Sequence, residues 1–381
     1  MMLSSTIQPV LQRYQAEIDA ALRRTVMRVS NAATRPEIAP LQPFYGQIEY
    51  HLGWVDADFS PSTGHSGKLL RPTLLLLAYE ASGAWRLADE TTSSAYLRRA
   101  MPAAVAIELT HNFTLVHDDI EDGDTERHHR STLWKLWGIP QAINTGDGLF
   151  ALSRQALWGV LDEGVESAIA IRLGELLDHT CLTVSEGQYL DISFEGRLDI
   201  SVAMYIDMIS RKTAALMSCA AEMGALLGTR SQDTIDSLHS FGHAIGIAFQ
   251  VRDDLLGIWA SIAELGKTPA GDIYRRKKSL PILHALEQAS ERDQQLLHNI
   301  YTQEASITGE QVEVVLAIFA RTQTKAYCQS FLAEQCRLAH DALTNVPRNG
   351  SGVATRALQD LEALVQFVEN AARKETLHSA K

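Results

Sequence analysis

The chain has 381 residues, 46% of them hydrophobic, and 46 Asp and Glu against 34 Lys and Arg give a formal net charge of -12. That acidity argues against a nucleic-acid binder, whose affinity rests on clustered cations facing phosphates. It leaves room for a local basic pocket around a small phosphorylated substrate. Cys181, Cys219, Cys328 and Cys336 form no CxxC pair and are too few for a disulfide scaffold of this size, so free thiols in a reducing cytoplasm are expected.

In chain order, Val10, Leu11, Tyr14, Ile18, Ala21 and Leu22 recur at helical spacing and predict an amphipathic helix from Gln8 to Val29. Glu17 and Asp19 interrupt it, so no targeting segment is expected. Residues 31–68 hold Pro36, Pro40, Pro43 and Pro61 and read as an irregular lead into the core. From Pro72 onward, helices are predicted over Pro72–Ser82, Leu97–Asp119, Ile139–Leu161, Ala168–Tyr189, Ser201–Leu227, Ser231–Trp259, Leu280–Ala289, Asp293–Ile300, Gly309–His340 and Val353–Lys374. Strand-like alternation is almost absent. The apolar run Leu74–Tyr79 is far shorter than a bilayer span, so no stable membrane insertion is expected. With no linker and no repeat, the chain reads as all-α and as one large helical bundle. Residues 1–63 form its N-terminal helix and irregular lead-in, and residues 64–381 form its body.

Two acidic clusters stand out. Asp118, Asp119 and Asp122 end a strongly apolar helix, and Asp118 and Asp122 lie one turn apart on one face. Carboxylates so placed repel each other, and a hard divalent cation bridging them to phosphates compensates. His111, two turns earlier, points the same way. The segment Phe249-Gln250-Val251-Arg252-Asp253-Asp254 repeats the arrangement late in another long apolar helix, with Gln250 and Asp253 on one face. In a bundle, two such ends can face each other across one cavity mouth. Each alone is more often a solvated helix end, and the repetition lowers that reading. Cations stand at Lys68 and Arg71 ahead of a helix N-terminus, where phosphates are favoured, at Arg211-Lys212-Thr213, at Lys267, and at Arg275-Arg276-Lys277-Lys278.

Taken together, the GK-x-x-RP segment at Gly67–Pro72, the two aspartate motifs, the Lys212-Thr213 pair, the FQ-x-x-DD segment and the later Gly266-Lys267 resemble the trans-isoprenyl diphosphate synthase (polyprenyl synthetase) family, geranylgeranyl diphosphate synthases in particular. The motifs stand in family order over about residues 64–285 and are jointly specific. The resemblance implies a helical bundle of the isoprenoid synthase type, several Mg²⁺ ions per site, a homodimer, and cytoplasmic condensation of isopentenyl diphosphate with an allylic diphosphate. It implies that Asp118, Asp119, Asp122, Asp253 and Asp254 hold metal, with Gln250 as a supporting contact. Lys68, Arg71 and His111 match positions that hold isopentenyl diphosphate. Arg127, Lys212 and Lys267 match those that clamp the allylic diphosphate, Lys277 a lysine near the mouth, and Thr213 a polar residue deeper in.

The sequence departs from the family at three places. Gly257 stands where the second motif usually ends in Asp, which would remove an acid from the metal site; on that reading Gly257→Asp would lower the Mg²⁺ requirement. His128 follows Arg127 where a second Arg is usual, making one contact to isopentenyl diphosphate weaker or pH-dependent. Ser66-Gly67 replaces a double Gly.

Ionisation of the allylic diphosphate, assisted by metal and by Arg127, Lys212 and Lys267, is the expected chemistry, with no side-chain nucleophile. Thr114 lies one turn below Asp118 and is expected to line the cavity. By resemblance Phe113 limits product length, giving a medium chain such as geranylgeranyl diphosphate; a core Phe is the competing role. Two rivals remain. A terpene cyclase of the same fold would not need Lys68, Arg71 and His111. A non-catalytic subunit usually loses first-motif acids, all of which are kept here.

Overall fold

The structure, a computed structural model, describes residues 7–33, 41–62, 67–83, 95–260, 270–348 and 352–374. Several prolines of this chain stand in the first turn of a helix. Pro43, Pro102, Pro140 and Pro281 each stand second in a helix, within the first turn, where the N–H has no intrahelical partner to lose. This explains why α2 (Gln42–His51) exists inside a proline-rich stretch that the sequence alone reads as irregular. Around it run α1 (Gln8–Ala33), α3 (Leu70–Ser82), α4 (Met101–Glu121), α5 (Leu133–Trp137), α6 (Ile139–Trp158) and α7 (Ser167–Phe194). After them come α8 (Val202–Ile209), α9 (Ala215–Gly228), α10 (Gln232–Trp259), α11 (Gly271–Tyr274) and α12 (Leu280–Gln288). The chain continues through α13 (Glu291–Thr302), α14 (Gly309–Arg321), α15 (Thr324–Thr344) and α16 (Gly352–Lys374). The one sheet among the described residues is a hairpin of β1 (Glu126–Arg127) and β2 (Arg130–Ser131). Its turn residues His128 and His129 have φ of 52° and 63°, the left-handed pair that a tight hairpin requires.

Three predicted helices differ from the observed ones. The segment predicted from Leu97 begins with a 3₁₀ turn, Ala95–Arg99, before α4. The long helix predicted over Ser201–Leu227 is α8 and α9 joined by a π-helical turn at Ser210–Ala214. The helix predicted over Gly309–His340 breaks at Gln323, whose φ of 54° turns α14 into α15.

The centre is built from α3, α4, α9 and α10. α3 buries every residue from Pro72 to Ala81, and α9 is buried on nearly all sides, the mark of helices with no solvent face. α4 packs against α6, α3 against α9, and α10 against α9 and α15. α1 and α16 are tied to this centre through one buried carboxylate. Glu80, fully buried on α3, accepts from Tyr14 on α1 at 2.7 Å, from the Tyr96 hydroxyl, and from Arg356 on α16 at 3.2 Å. A charge so removed from water is tolerable only with such partners. No helix among the described residues is long and apolar enough to cross a membrane.

Candidate active site

α4 and α10 end beside one cavity of about 710 Å³, lined by Asp118 and Glu121 from α4 and Asp253 from α10. Lys68, Arg71, Arg127 and Lys212 line the same space. Below the charged mouth the walls turn apolar, with Leu115, Val184, Met217 and Phe249. Thr114 lines the cavity as its helical spacing predicts, and Phe113, which spacing alone puts to one side, lines it too. The Phe113 ring lies edge-on to Phe150 of α6 at 5.2 Å, and Thr114 donates to the His111 carbonyl at 2.7 Å.

The first cluster is tightly paired with cations. Arg127, carried on β1, places Nε 2.7 Å from Asp119 Oδ1 and Nη2 3.6 Å from Asp118. Lys212 sits 3.0 Å from Asp118 and 2.6 Å from Asp191 of α7. Burial alone would lower the Lys212 ammonium, but Asp118 and Asp191 outweigh it and hold the pKa above the usual lysine value. The π turn aims Lys212 at this spot, and α7 approaches its backbone because Gly187 has no side chain: a Cβ there would meet the Lys212 nitrogen at 2.3 Å. Asp119 is only 2% exposed and faces Arg127 more than the cavity. Loss of solvent lifts its carboxyl to about 6 against the pull of Arg127. Asp122, at the helix end, is also raised to about 6, by partial desolvation and then by the charge of Asp118.

In the second cluster the two aspartates part company. Asp253 opens to the cavity, and desolvation raises its pKa despite Arg252 beside it. Asp254, expected from the family pattern to hold metal, is fully buried and points away. It accepts from the Tyr205 hydroxyl, from Gln250 and Lys277 at 3.2 Å each, and from the Leu280 amide at 3.3 Å. Consecutive residues on a helix diverge by about 100°, and here that turns Asp254 toward Tyr205 and the Leu280 amide while Asp253 faces the cavity. Lys277 is thereby bound behind the site, 3.2 Å from Asp254 and 3.8 Å from Asp272.

The absent acid at position 257 also has a spatial explanation. A Cβ on Gly257 would meet Asp272 Oδ2 at 2.2 Å. The carboxylate of Asp272, 3% exposed and 2.6 Å from Arg275, therefore fills the space a side chain at 257 would take. Asp272, from α11, thus occupies that volume, paired with Arg275 and Lys277, and is not among the residues lining the cavity. Sequence pattern alone does not register it, because Asp272 lies in a different helix.

On the opposite wall, Arg71 Nη1 lies 2.9 Å from His111 Nε2, an arrangement that needs the imidazole neutral and accepting. Burial, and then the Arg71 charge, hold the His111 pKa well below the usual value. His51 at the end of α2 is lowered in the same way to about 3, by burial and then by Arg127. Its Nε2 is buried without a hydrogen-bond partner among the described residues. Thr213 donates to Gln250 at 3.3 Å and both line the cavity. His128 sits in the β1–β2 turn outside the cavity lining, and burial, with Arg127 and Lys68, lowers its pKa. Lys267 lies outside the described residues. Sequence reasoning missed Glu121, Gln188, Asp191, Arg252 and Asp272. Glu121 and Gln188, hydrogen-bonded at 2.8 Å, come from α4 and α7, a juxtaposition that no local motif signals.

No three-ligand cage for a metal exists among the described residues. Burial first, and neighbouring carboxylates after it, raise Asp119, Asp122 and Asp253, and a hard dication would offset both costs, so the donor set fits.

Two acidic helix ends across a cation-walled cavity, with apolar helices beneath, define an all-α enzyme acting on prenyl diphosphates. The chain belongs to the polyprenyl synthetase family, whose model matches residues 54–319, and it is a prenyltransferase that elongates prenyl chains. It is 35% identical over 349 residues, 92% of each chain, to the geranylgeranyl diphosphate synthase of Mycobacterium tuberculosis. It is 36% identical over 274 residues to the (2E,6E)-farnesyl diphosphate synthase of Mycobacterium bovis, covering 72% of this chain and 69% of that one. The polyprenyl synthetase of Streptomyces coelicolor superposes with a TM-score of 0.79 at 33% identity, over 95% of this chain and 99% of its own. The geranylgeranyl pyrophosphate synthetase of Pyrococcus horikoshii gives 0.78 at 29%, over 95% and 98%.

Proposed function

We propose that the protein condenses isopentenyl diphosphate with allylic diphosphates to yield geranylgeranyl diphosphate. The observation that carries the reading is the single cavity holding Asp118, Asp253, Lys68, Arg71, Arg127 and Lys212 at its mouth, above walls of Leu115, Val184, Met217 and Phe249. Asp118, Asp122 and Asp253 would hold Mg²⁺, which supplies charge neutralisation to a departing diphosphate. Arg127 and Lys212 bind the allylic diphosphate from the cavity side and exchange their carboxylate partners for its oxygens. Their charge steadies the leaving group as the C–O bond breaks. Lys68, Arg71 and neutral His111 orient isopentenyl diphosphate so that its double bond faces the allylic carbon; the proton then lost passes to the departing pyrophosphate. The apolar walls exclude water from the cation.

Phe113, braced by Phe150, sets the floor for the growing chain. Arg71 and His111, held together, favour this two-substrate reaction over cyclisation of one prenyl diphosphate. The same reading takes residues 1–63 and 64–381 as one cytoplasmic domain, supported by a continuous buried core that includes Ile7 and Val368. It takes the chain as a homodimer. Ile139, Ile143 and Phe150 form an exposed apolar stripe on α6, and Ile171, Leu182 and Tyr189 another on α7, a pattern expected of an interface. The test incubates the purified chain with labelled isopentenyl diphosphate and each allylic primer, with chromatographic sizing of dephosphorylated products. Geranylgeraniol is expected. A hydrocarbon from an allylic diphosphate alone, or no turnover without a second protein, overturns the reading.

A further inference from the structure

Arg252 is a buried cation that the chemistry above does not use. Its side chain is 7% exposed, yet it forms part of the cavity lining. Three contacts surround it. Nη1 donates to Asp253 Oδ1 at 3.2 Å. The guanidinium carbon stands 4.7 Å from the ring centroid of Phe367 on α16, itself a lining residue and 6.3 Å from the Phe249 ring. The third feature is a lack: Nε is buried with no hydrogen-bond partner among the described residues.

A guanidinium stripped of water and left with an unbonded N–H is unfavourable until an acceptor arrives. The walls offer Arg252 one carboxylate and one aromatic face. Lys68 shares the cavity with it, close enough to feel both the Asp253 carboxylate and the repulsion of the Arg252 charge. An anion placed there satisfies the donor and removes the repulsion. The planar fork of Arg suits phosphate oxygens and can hold one while still holding Asp253. Arg127 and Lys212 stand at the first cluster and are assigned to the allylic diphosphate, so the anion that Arg252 and Lys68 share is the diphosphate of the second substrate.

We propose that Arg252 is a further binding residue for isopentenyl diphosphate, and that its simultaneous grip on Asp253 joins that substrate to the second acidic cluster. Its cover by Phe367 gives α16 a part in the site. The inference rests on the synthase reading, and the experiment separates the two.

Arg252→Met keeps the length and apolar stem and removes the charge; Arg252→Lys keeps a charge and removes the fork. Steady-state kinetics with each substrate varied are combined with calorimetric titration of isopentenyl diphosphate into metal-free protein. Arg252→Met is expected to raise the KM for isopentenyl diphosphate about tenfold or more, as for loss of one charge-assisted hydrogen bond, and that for the allylic primer less than about threefold. Direct binding of isopentenyl diphosphate should weaken in parallel. Arg252→Lys should fall between Met and wild type, and it decides the matter if the methionine variant does not fold. Equal rises in both KM values, or unchanged isopentenyl diphosphate binding in the folded variant, overturn the proposal and leave Arg252 as a brace for α16. A wild type that turns over no substrate pair defeats the synthase reading itself, and that result is read without any variant.

Discussion

Replacing Gly257 tests the packing behind the second acidic cluster. A Cβ there would lie 2.2 Å from Asp272 Oδ2 and 2.5 Å from its Cγ, where ordinary contact begins at 3.4 Å. Asp272 would have to retreat by about 1 Å, since repulsion is steep at such distances. It has little room to do so, being 3% exposed and held by Arg275 at 2.6 Å. Overpacking of this kind costs about 1–3 kcal/mol, and weakening a buried carboxylate's hydrogen bonds costs about 1–3 kcal/mol more. The helical gain from Gly to Ala returns about 0.5–1 kcal/mol. Gly257→Ala should therefore destabilise the fold by about 1–5 kcal/mol. Gly257→Asp sets a second carboxylate against the first and should be at least as harmful. The sequence pattern alone expects the opposite, a variant with a lower Mg²⁺ requirement. Denaturant unfolding of both variants, with Mg²⁺ titration of prenyl transfer, separates the two. A Gly257→Asp protein within about 0.5 kcal/mol of wild type would refute the packing argument.

Asp118→Ala should reduce turnover by about a hundredfold or more with unfolding nearly unchanged, and a loss under about tenfold would remove it from the metal set. Arg71→Ala should raise the KM for isopentenyl diphosphate far more than that for the primer, and equal rises would overturn its assignment to isopentenyl diphosphate. Phe113→Ala should lengthen the products and Thr114→Phe shorten them, whereas an unchanged distribution in an active Phe113→Ala protein would move the floor elsewhere. His51 has a folded pKa near 3 and an unfolded value near 6.5. The unfolded chain thus binds the extra proton between those values, so the contribution to stability is whole above pH 6.5 and declines as pH falls toward 3. Unfolding midpoints should drop between pH 7 and 5, with His51→Gln flattening the decline, and a flat wild-type profile would dismiss the burial account.

Some of this molecule is decided locally, and that part was legible in the sequence. Apolar residues at helical spacing specify long helices wherever they occur, and a carboxylate pair at i and i+4 marks one face whatever packs beside it. So the all-α class, the two acidic helix ends and the cations around them could be read from the order of residues. Other features exist only because distant segments meet. Asp254 looks like Asp253's equal in sequence, but Tyr205 and the Leu280 amide claim it from other helices. Gly257 looks like a missing acid until Asp272 comes to lie against it. Lys212 gains Asp191, and Arg252 gains Phe367, from helices that no local pattern relates to them. The α8–α9 helix looks continuous in sequence, and the π turn arises where α7 and α10 close on it, each through a glycine, Gly187 and Gly246. The hydrophobic pattern decides which faces turn inward; which buried donor meets which buried acceptor is decided only by the packing of one helix on another.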